Sequence, residues 1–227
     1  MAAFRQAIAD GTDIIETDLH VSADGVFVCI HDETVDRTTN GSGRVEEMSL
    51  AELKKLSAFY GREEFSAEKI PALSELIEIL PDDVALALEI KTDRFLESAV
   101  HQKLIKQLAD ARLLDRTIIL SFSLDHLKAV YKTSKELHTG WITLSKLTPL
   151  RGPHMLGAFW PLLLLNPFYV KIAHSRNQAI CPLDPLPDSR LWLYRILGCD
   201  AILTDDPGTT GLALRKHRGT KLLESSV

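Results

Sequence analysis

Residues 84–91, with the sequence VALALEIK, constrain the fold more than any other segment of this chain. Their apolar side chains follow one another almost without interruption, which is typical of a parallel strand that is covered on both faces. Short apolar segments at 14–21, 117–121 and 138–143 are separated by segments with helical spacing. This alternation predicts an α/β protein with a parallel sheet and helical crossovers.

The first predicted strand, Ile14–Val21, carries two carboxylates on one face. Glu16 and Asp18 are two residues apart, and side chains alternate across a strand, so both point the same way. Two such carboxylates repel each other unless a cation lies between them, and oxygen ligands suit Mg²⁺, Ca²⁺ or Mn²⁺. The pattern predicts a divalent-cation site. The alternative is a solvated edge strand that happens to carry two acids.

The segment that follows ends in a histidine. Asp24 and Gly25 predict a tight turn, because glycine tolerates a positive φ. Val26–Ile30 predicts a second short apolar strand, which delivers His31 and Asp32 at its end. A histidine at a strand end beside a metal site is a candidate proton carrier.

The order of motifs over residues 16–43 resembles that of the glycerophosphodiester phosphodiesterase family. E-x-D is followed by A-D-G, then by V-x-x-H-D, and then by R-T-T-x-G-x-G. Members of that family are metal-dependent hydrolases that fold as TIM barrels. The resemblance therefore implies an α/β fold of the TIM (β/α)8 barrel type. It also implies an enzyme that hydrolyses glycerophosphodiesters to glycerol 3-phosphate and an alcohol.

The resemblance extends to the residues of the site. Glu89 and Lys91 stand where the family has Glu-x-Lys at the carboxyl end of a barrel strand. The implied metal ligands are therefore Glu16, Asp18 and Glu89, and the implied cofactor is Mg²⁺ or Ca²⁺. Lys91 is the expected phosphate-binding residue, and His31 is expected to be one of two acid–base histidines.

Met1–Ala9 predicts a helix that corresponds to an internal position of the family. In the family this helix follows a first strand that ends in His-Arg-Gly and supplies the other histidine. We therefore expect a single domain over residues 1–227, a barrel without its first strand. The loss of one general acid or base typically costs about 10²–10⁴-fold in rate, so an inactive remnant that binds metal or phosphate is an alternative. His20 shares a face with Asp18, but we do not expect it to replace the missing histidine.

Residues 152–170 form the most hydrophobic part of the chain. The favoured interpretation is a buried barrel strand at Leu162–Leu165. The alternative is a peripheral membrane contact with Phe159 and Trp160 as anchors, which would suit a lysophospholipase D-type enzyme acting on lysophospholipids.

The segment from Asp200 to Pro207 resembles the family's closing strand and turn. Asp205 and Asp206 are an alternative second metal site, but we favour a turn and a helix cap because Pro207 follows them.

Composition narrows the partners and the compartment. The net charge of −5, without a basic cluster, argues against a nucleic-acid partner. No signal peptide is visible, and no apolar run reaches the roughly 20 residues that span a bilayer. The sequence thus predicts a cytoplasmic enzyme whose partners are small-molecule glycerophosphodiesters or lysophospholipids.

Overall fold

The computed structural model describes residues 1–224. The chain divides into two compact units: the first consists of Met1–Ile8 and Asp13–His138, and the second of Ala9–Thr12 and the chain from Thr139 onward. The strands are β1 (Ile14–Val21), β2 (Phe27–Cys29), β3 (Ala85–Ile90), β4 (Thr117–Ser121), β5 (His138–Thr143), β6 (Met155–Ala158) and β7 (Ala179–Ile180). The α-helices are α1 (Ala2–Ala9), α2 (Leu50–Leu53), α3 (Leu73–Ile79), α4 (Ser98–Asp110), α5 (Leu124–Thr133), α6 (Trp160–Leu165), α7 (Tyr169–His174), α8 (Leu191–Leu197) and α9 (Pro207–Glu224).

The sheet of the first unit has the strand order β2-β1-β3-β4. β1 is parallel to β3, and β3 is parallel to β4, with helical segments between consecutive parallel strands. β2 returns antiparallel to β1 through the turn at Asp24 and Gly25, where Gly25 has φ +77°. The predicted parallel sheet with helical crossovers is confirmed, and β1 and β4 begin and end where the sequence predicts.

Burial follows the side-chain period of these strands. In β1 the odd-numbered residues from Ile15 to Val21 are buried, whereas Ile14 and Glu16 on the other face are exposed. β3 is buried on both faces, because Leu86 and Leu88 are fully covered on one side and Ala87 and Glu89 are nearly covered on the other. The near-continuous apolar sequence of β3 is therefore explained, as predicted, by a parallel strand that is covered on both faces.

The loop after β2 folds on a small core of its own. Val35 and Val45 pack with Ile30 of the preceding segment and with residues of the following helical region. A capping box formed by Ser49 and Glu52 starts α2. The R-T-T-x-G-x-G segment is consequently a fixed loop that hydrogen-bonds across itself, as from the Val35 amide to the Gly43 carbonyl (3.0 Å).

The second unit contains the parallel strands β5-β6-β7. The strand predicted at Leu162–Leu165 is wrong, because these residues belong to α6 and the strand is Met155–Ala158. Two features favour a helix over a strand here. Pro161 lies in the first turn of α6, and the four residues after it are leucines, which are not branched at Cβ and form helices readily. A short apolar run has no periodicity that distinguishes the two.

The closing strand predicted after Asp200 is also wrong, since residues 201–204 form no strand. The amides of Asp200 and Ala201 both donate to the same carbonyl, that of Ile180, whereas a ladder would pair successive residues. Asp206 caps α9, because its Oδ1 accepts from the Thr209 amide at 2.9 Å, as the sequence predicts. None of the helices among residues 1–224 combines the length and apolar character that crossing a bilayer requires.

A buried ion pair holds the loop after β7. Asp184 is only 3% exposed and accepts two hydrogen bonds from Arg190, at 2.6 and 2.8 Å, and a third from the Tyr194 hydroxyl. Burial alone would raise the pKa of Asp184, but the bonds from Arg190 and Tyr194 outweigh it and the pKa is lowered. Asp184 is therefore a buried carboxylate that depends on its partners.

We expect Arg190→Met to lower the free energy of unfolding by about 3 kcal/mol, because it leaves the Asp184 charge buried without its partner. Urea denaturation measures the loss. Lys106→Met is the matched control, since Lys106 and Asp110 form an exposed pair whose removal costs about 0.5 kcal/mol. Equal losses in the two variants would contradict the role given to burial.

Candidate active site

Three carboxylates of β1 and β3 meet beside each other. One oxygen from each of Glu16, Asp18 and Glu89 lies within 4.8 Å of the other two. Asp18 and Glu89 are direct neighbours in the parallel register, and Glu16 precedes Asp18 on the same face. Glu16 is exposed, Asp18 is half-buried, and Glu89 is only 7% exposed. The three residues that the sequence singles out as metal ligands thus form one cluster.

Lys91 lies against this cluster. Its Nζ is 3.0 Å from Asp18 Oδ1 and 2.6 Å from Glu89 Oε1. Burial by itself would lower the pKa of Lys91, but the hydrogen bond to Glu89 and the charge of Asp18 outweigh it, so the pKa is raised. The ammonium is therefore held in its charged form beside two of the carboxylates. Its Nζ also lies over the aromatic ring of Phe122, 5.8 Å from the ring centroid.

A divalent cation fits this donor set. The donors are all carboxylate oxygens, which are the ligands of Mg²⁺ and Ca²⁺. Burial raises the pKa of Glu89, and the charge of Asp18 adds to this, although Lys91 opposes both. One ammonium does not balance three carboxylates, so the cluster keeps an excess of negative charge that a doubly charged cation would offset.

His31 follows β2 and is oriented by a carboxylate. Its Nδ1 is 2.7 Å from Asp32 Oδ1, and its side chain is 63% exposed. Arg37 donates two hydrogen bonds to Asp32, from Nε at 2.6 Å and Nη2 at 3.0 Å, and also contacts the Tyr60 ring. These bonds, first that from Arg37 and then that from His31, hold the pKa of Asp32 well below its usual range. Asp32 stays ionised, so the Nδ1–H of His31 donates to it and Nε2 is left to carry or accept a proton.

His20 and the backbone hold His31 close to β1. His20 is buried, and its Nε2 lies 3.2 Å from the carbonyl oxygen of His31. The Ile30 amide donates to the Asp18 carbonyl at 3.1 Å. Burial lowers the pKa of His20, so a neutral ring donates to that carbonyl. The side chain of His20 thus contacts the backbone of His31.

A Ser–His–Asp chain supports the end of β3. Ser121 Oγ is 3.2 Å from the Ile90 carbonyl, which lies between Glu89 and Lys91 in the chain. The same hydroxyl is 3.2 Å from His126 Nδ1, and His126 Nε2 is 2.9 Å from Asp93 Oδ1. Ser121 and His126 are both buried, whereas the Asp93 side chain is exposed, so the chain runs from the backbone of β3 to the surface.

These supporting contacts differ in how far the sequence could have indicated them. The position of His126 in a segment with helical spacing indicates only a surface or structural residue, and the sequence gives no role to Ser121 or Arg37. Arg37 had a signal, since it opens the R-T-T-x-G-x-G motif. The Ser121–His126 pair has none, because a bond from a side chain to a carbonyl 31 positions away leaves no local pattern.

Comparisons with known proteins identify the family of this chain. The model of the Glycerophosphoryl diester phosphodiesterase family matches residues 1–209. A glycerophosphodiester phosphodiesterase of Caldanaerobacter subterraneus subsp. tengcongensis is 35% identical over 95% of this chain and 91% of its own length. A second, from Bacillus altitudinis, is 29% identical over 91% of this chain and 88% of its own length.

Solved structures have the same fold. The crystal structure of a glycerophosphodiester phosphodiesterase from Agrobacterium tumefaciens superposes with a TM-score of 0.76 at 25% identity, over 91% of this chain and 90% of its own. An Oleispira antarctica phosphodiesterase in complex with the product sn-glycerol-3-phosphate gives a TM-score of 0.80 at 23% identity, over 94% of this chain and 89% of its own.

We expect Ser121→Ala to weaken the binding of Mg²⁺ or Mn²⁺ about tenfold, because the strand end that carries Glu89 loses a hydrogen bond. Titration calorimetry measures the affinity. Thr117→Val is the matched control, since Thr117 is equally buried on β4 and donates to the Leu113 carbonyl at 2.7 Å, at the far end of the strand. Both variants lose about 1 kcal/mol of stability, but only Ser121→Ala changes the affinity. Equal affinities in the two variants would reduce Ser121 to a structural residue.

Proposed function

Because this chain belongs to the glycerophosphoryl diester phosphodiesterase family, we propose that Glu16, Asp18 and Glu89 hold the divalent cation with which it works. The chain is a phosphoric diester hydrolase that acts on glycerophosphodiesters. The observation that carries the proposal is the convergence of three carboxylate oxygens within 4.8 Å beside a charged lysine. We propose that the products are glycerol 3-phosphate and an alcohol, a proposal supported by the product complex of the Oleispira antarctica protein.

Hydrolysis requires that the charge of the phosphate is neutralised and that protons move at two oxygens. When it is bound, the cation supplies positive charge to the phosphate oxygens and makes a hydroxyl or water a better nucleophile. Lys91 adds a second positive charge, and its raised pKa keeps it ionised as it binds a phosphate oxygen. Glu16 is the exposed member of the cluster, so we place the substrate on its side.

His31 is the group that we assign to the leaving alcohol. Its Nδ1–H is bound by Asp32, so Nε2 is the nitrogen that gives a proton to the departing oxygen. In an in-line displacement the entering and leaving groups lie on opposite sides of phosphorus, so one imidazole serves only one of them. Asp32 and Arg37 are positioning residues, because Asp32 holds the ring of His31 and Arg37 holds Asp32.

Hydrolysis of lysophospholipids is a second candidate function. The second unit exposes several large apolar side chains, among them Leu165 and Phe168, which are the kind of surface that an acyl chain contacts. Release of choline from lysophosphatidylcholine, compared with release from glycerophosphocholine, separates the two substrate classes.

We expect the purified chain to release glycerol 3-phosphate from glycerophosphocholine in the presence of Mg²⁺ or Ca²⁺, and His31→Ala to lower kcat by about 10²–10⁴-fold through loss of the general acid. A coupled assay with glycerol 3-phosphate dehydrogenase measures the rate. His174→Ala is the matched control, because His174 is also exposed and also bound to an aspartate, Asp200, at 2.9 Å. Turnover that is unchanged in His31→Ala would remove His31 from the reaction.

We expect Glu89→Gln to abolish turnover and to weaken Mg²⁺ binding at least tenfold, because the glutamine keeps the shape and hydrogen bonds but removes one of the charged ligands. Addition of EDTA to the unaltered chain should have the same effect on turnover and be reversed by excess Mg²⁺. Asp110→Asn, an exposed carboxylate on α4, is the control. A folded chain that binds Mg²⁺ through Glu89 but releases no product would identify a binding remnant.

A further inference from the structure

We propose that the second unit carries a docking surface for an anionic lipid bilayer, which we call the α6–α7 face. It is formed by five exposed apolar side chains: Leu144, Leu147, Leu164, Leu165 and Phe168. Single exposed leucines are ordinary on a protein surface, whereas a contiguous group of them marks an interaction site. The inference does not depend on the function proposed above.

The α6–α7 face is built on a fixed frame. Asn166 joins its parts, because its Nδ2 donates to the Leu147 carbonyl at 2.7 Å and its Oδ1 accepts from the Phe168 amide at 3.1 Å. Two further side chains hold the loop after β5: Arg176 donates to the Pro149 carbonyl at 2.8 Å and Gln178 to the Leu150 carbonyl at 2.9 Å. The loop that carries Leu144 and Leu147 is therefore tied to the segment that carries Phe168.

The helix within this face has two distinct sides. Leu162 and Leu163 are buried, so they attach α6 to its unit, whereas Leu164 and Leu165 are 53% and 72% exposed. Phe168, just before α7, is 64% exposed. Trp160, which the sequence suggests as an anchor, is instead covered by Arg190, whose guanidinium lies 4.6 Å from the ring centroid. The most exposed apolar groups lie later in the chain than the sequence indicates.

The charged residues around the α6–α7 face indicate which kind of partner it binds. All 31 aspartate and glutamate residues of the chain lie outside residues 137–183, although the chain as a whole has a net charge of −5. The same segment contains Lys146, next to Leu147, and Lys171, which lies three residues after Phe168 and so on the same side of α7. Both lysines are exposed.

An apolar group with two exposed lysines beside it, in a segment that contributes no acid of its own, matches an anionic lipid surface. The leucines and the phenylalanine enter the boundary between head groups and acyl chains, and the lysines meet lipid phosphates. A second copy of the chain fits less well, because its α6–α7 face would bring the same positive charges against Lys146 and Lys171. We therefore assign an anionic lipid bilayer as the binding partner of the α6–α7 face.

The test is co-sedimentation of the full chain with vesicles of phosphatidylcholine and phosphatidylglycerol in a 3:1 ratio, and with vesicles of phosphatidylcholine alone. We expect binding to the anionic vesicles that weakens as salt is raised. Leu165→Ser combined with Phe168→Ser should lower the partition coefficient at least tenfold. Lys146→Gln and Lys171→Gln should each lower it about fivefold on anionic vesicles and leave the neutral ones unchanged.

Leu212→Ser is the matched control, because Leu212 is 58% exposed on α9 and lies outside the face. Far-ultraviolet circular dichroism checks that each variant is folded, which substitution at exposed positions should preserve. Absence of binding by the unaltered chain, or an equal loss in Leu212→Ser, would overturn the proposal. So would a dimer in analytical ultracentrifugation that Leu165→Ser and Phe168→Ser dissolve without any effect on vesicles, because the face would then be a contact between copies.

Discussion

The repulsion among three carboxylates is the constraint on which the rest of the first unit depends. The parallel register places Asp18 directly beside Glu89, and Glu89 is nearly buried. Like charges this close are unfavourable in a poorly solvated position, and Lys91 offsets only part of the charge. A fold has no stability reason to bring these groups together, so the cluster is best understood as a site that a cation completes.

The contacts around the cluster act on the backbone more than on the carboxylates themselves. The hydroxyl of Ser121 reaches the Ile90 carbonyl, and the ring of His20 reaches the His31 carbonyl. Each bond fixes a chain segment beside the residue that does the chemistry, so the functional side chains keep their own atoms for ligands and protons. Buried donors are suited to this task, because a hydrogen bond that is shielded from water competes with no solvent.

The sequence predicted the part of this arrangement that follows from local periodicity. Glu16 and Asp18 share a face because strands alternate, and β1 and β4 have the predicted bounds. It failed where the local pattern is ambiguous: the run Leu162–Leu165 is equally apolar as a helix or a strand, and only its packing decides. It could not supply the pairing of Ser121 with Ile90 or of Arg37 with Asp32 in atomic detail, because such bonds depend on how separate segments meet.

The distribution of acids along the sequence sets residues 137–183 apart from the rest of the chain. A metal site needs carboxylates, and the first unit concentrates them at Glu16, Asp18 and Glu89. A surface that approaches anionic lipid needs the opposite, since each carboxylate near the phosphates would oppose binding within a Debye length of roughly 10 Å. In a chain with a net charge of −5, adhesion to such a surface is favoured where a segment contributes few acids. Residues 137–183 contain no acid of their own, although Asp200 pairs with His174 of α7, and the solvent-facing Leu165 and Phe168 lie within this segment.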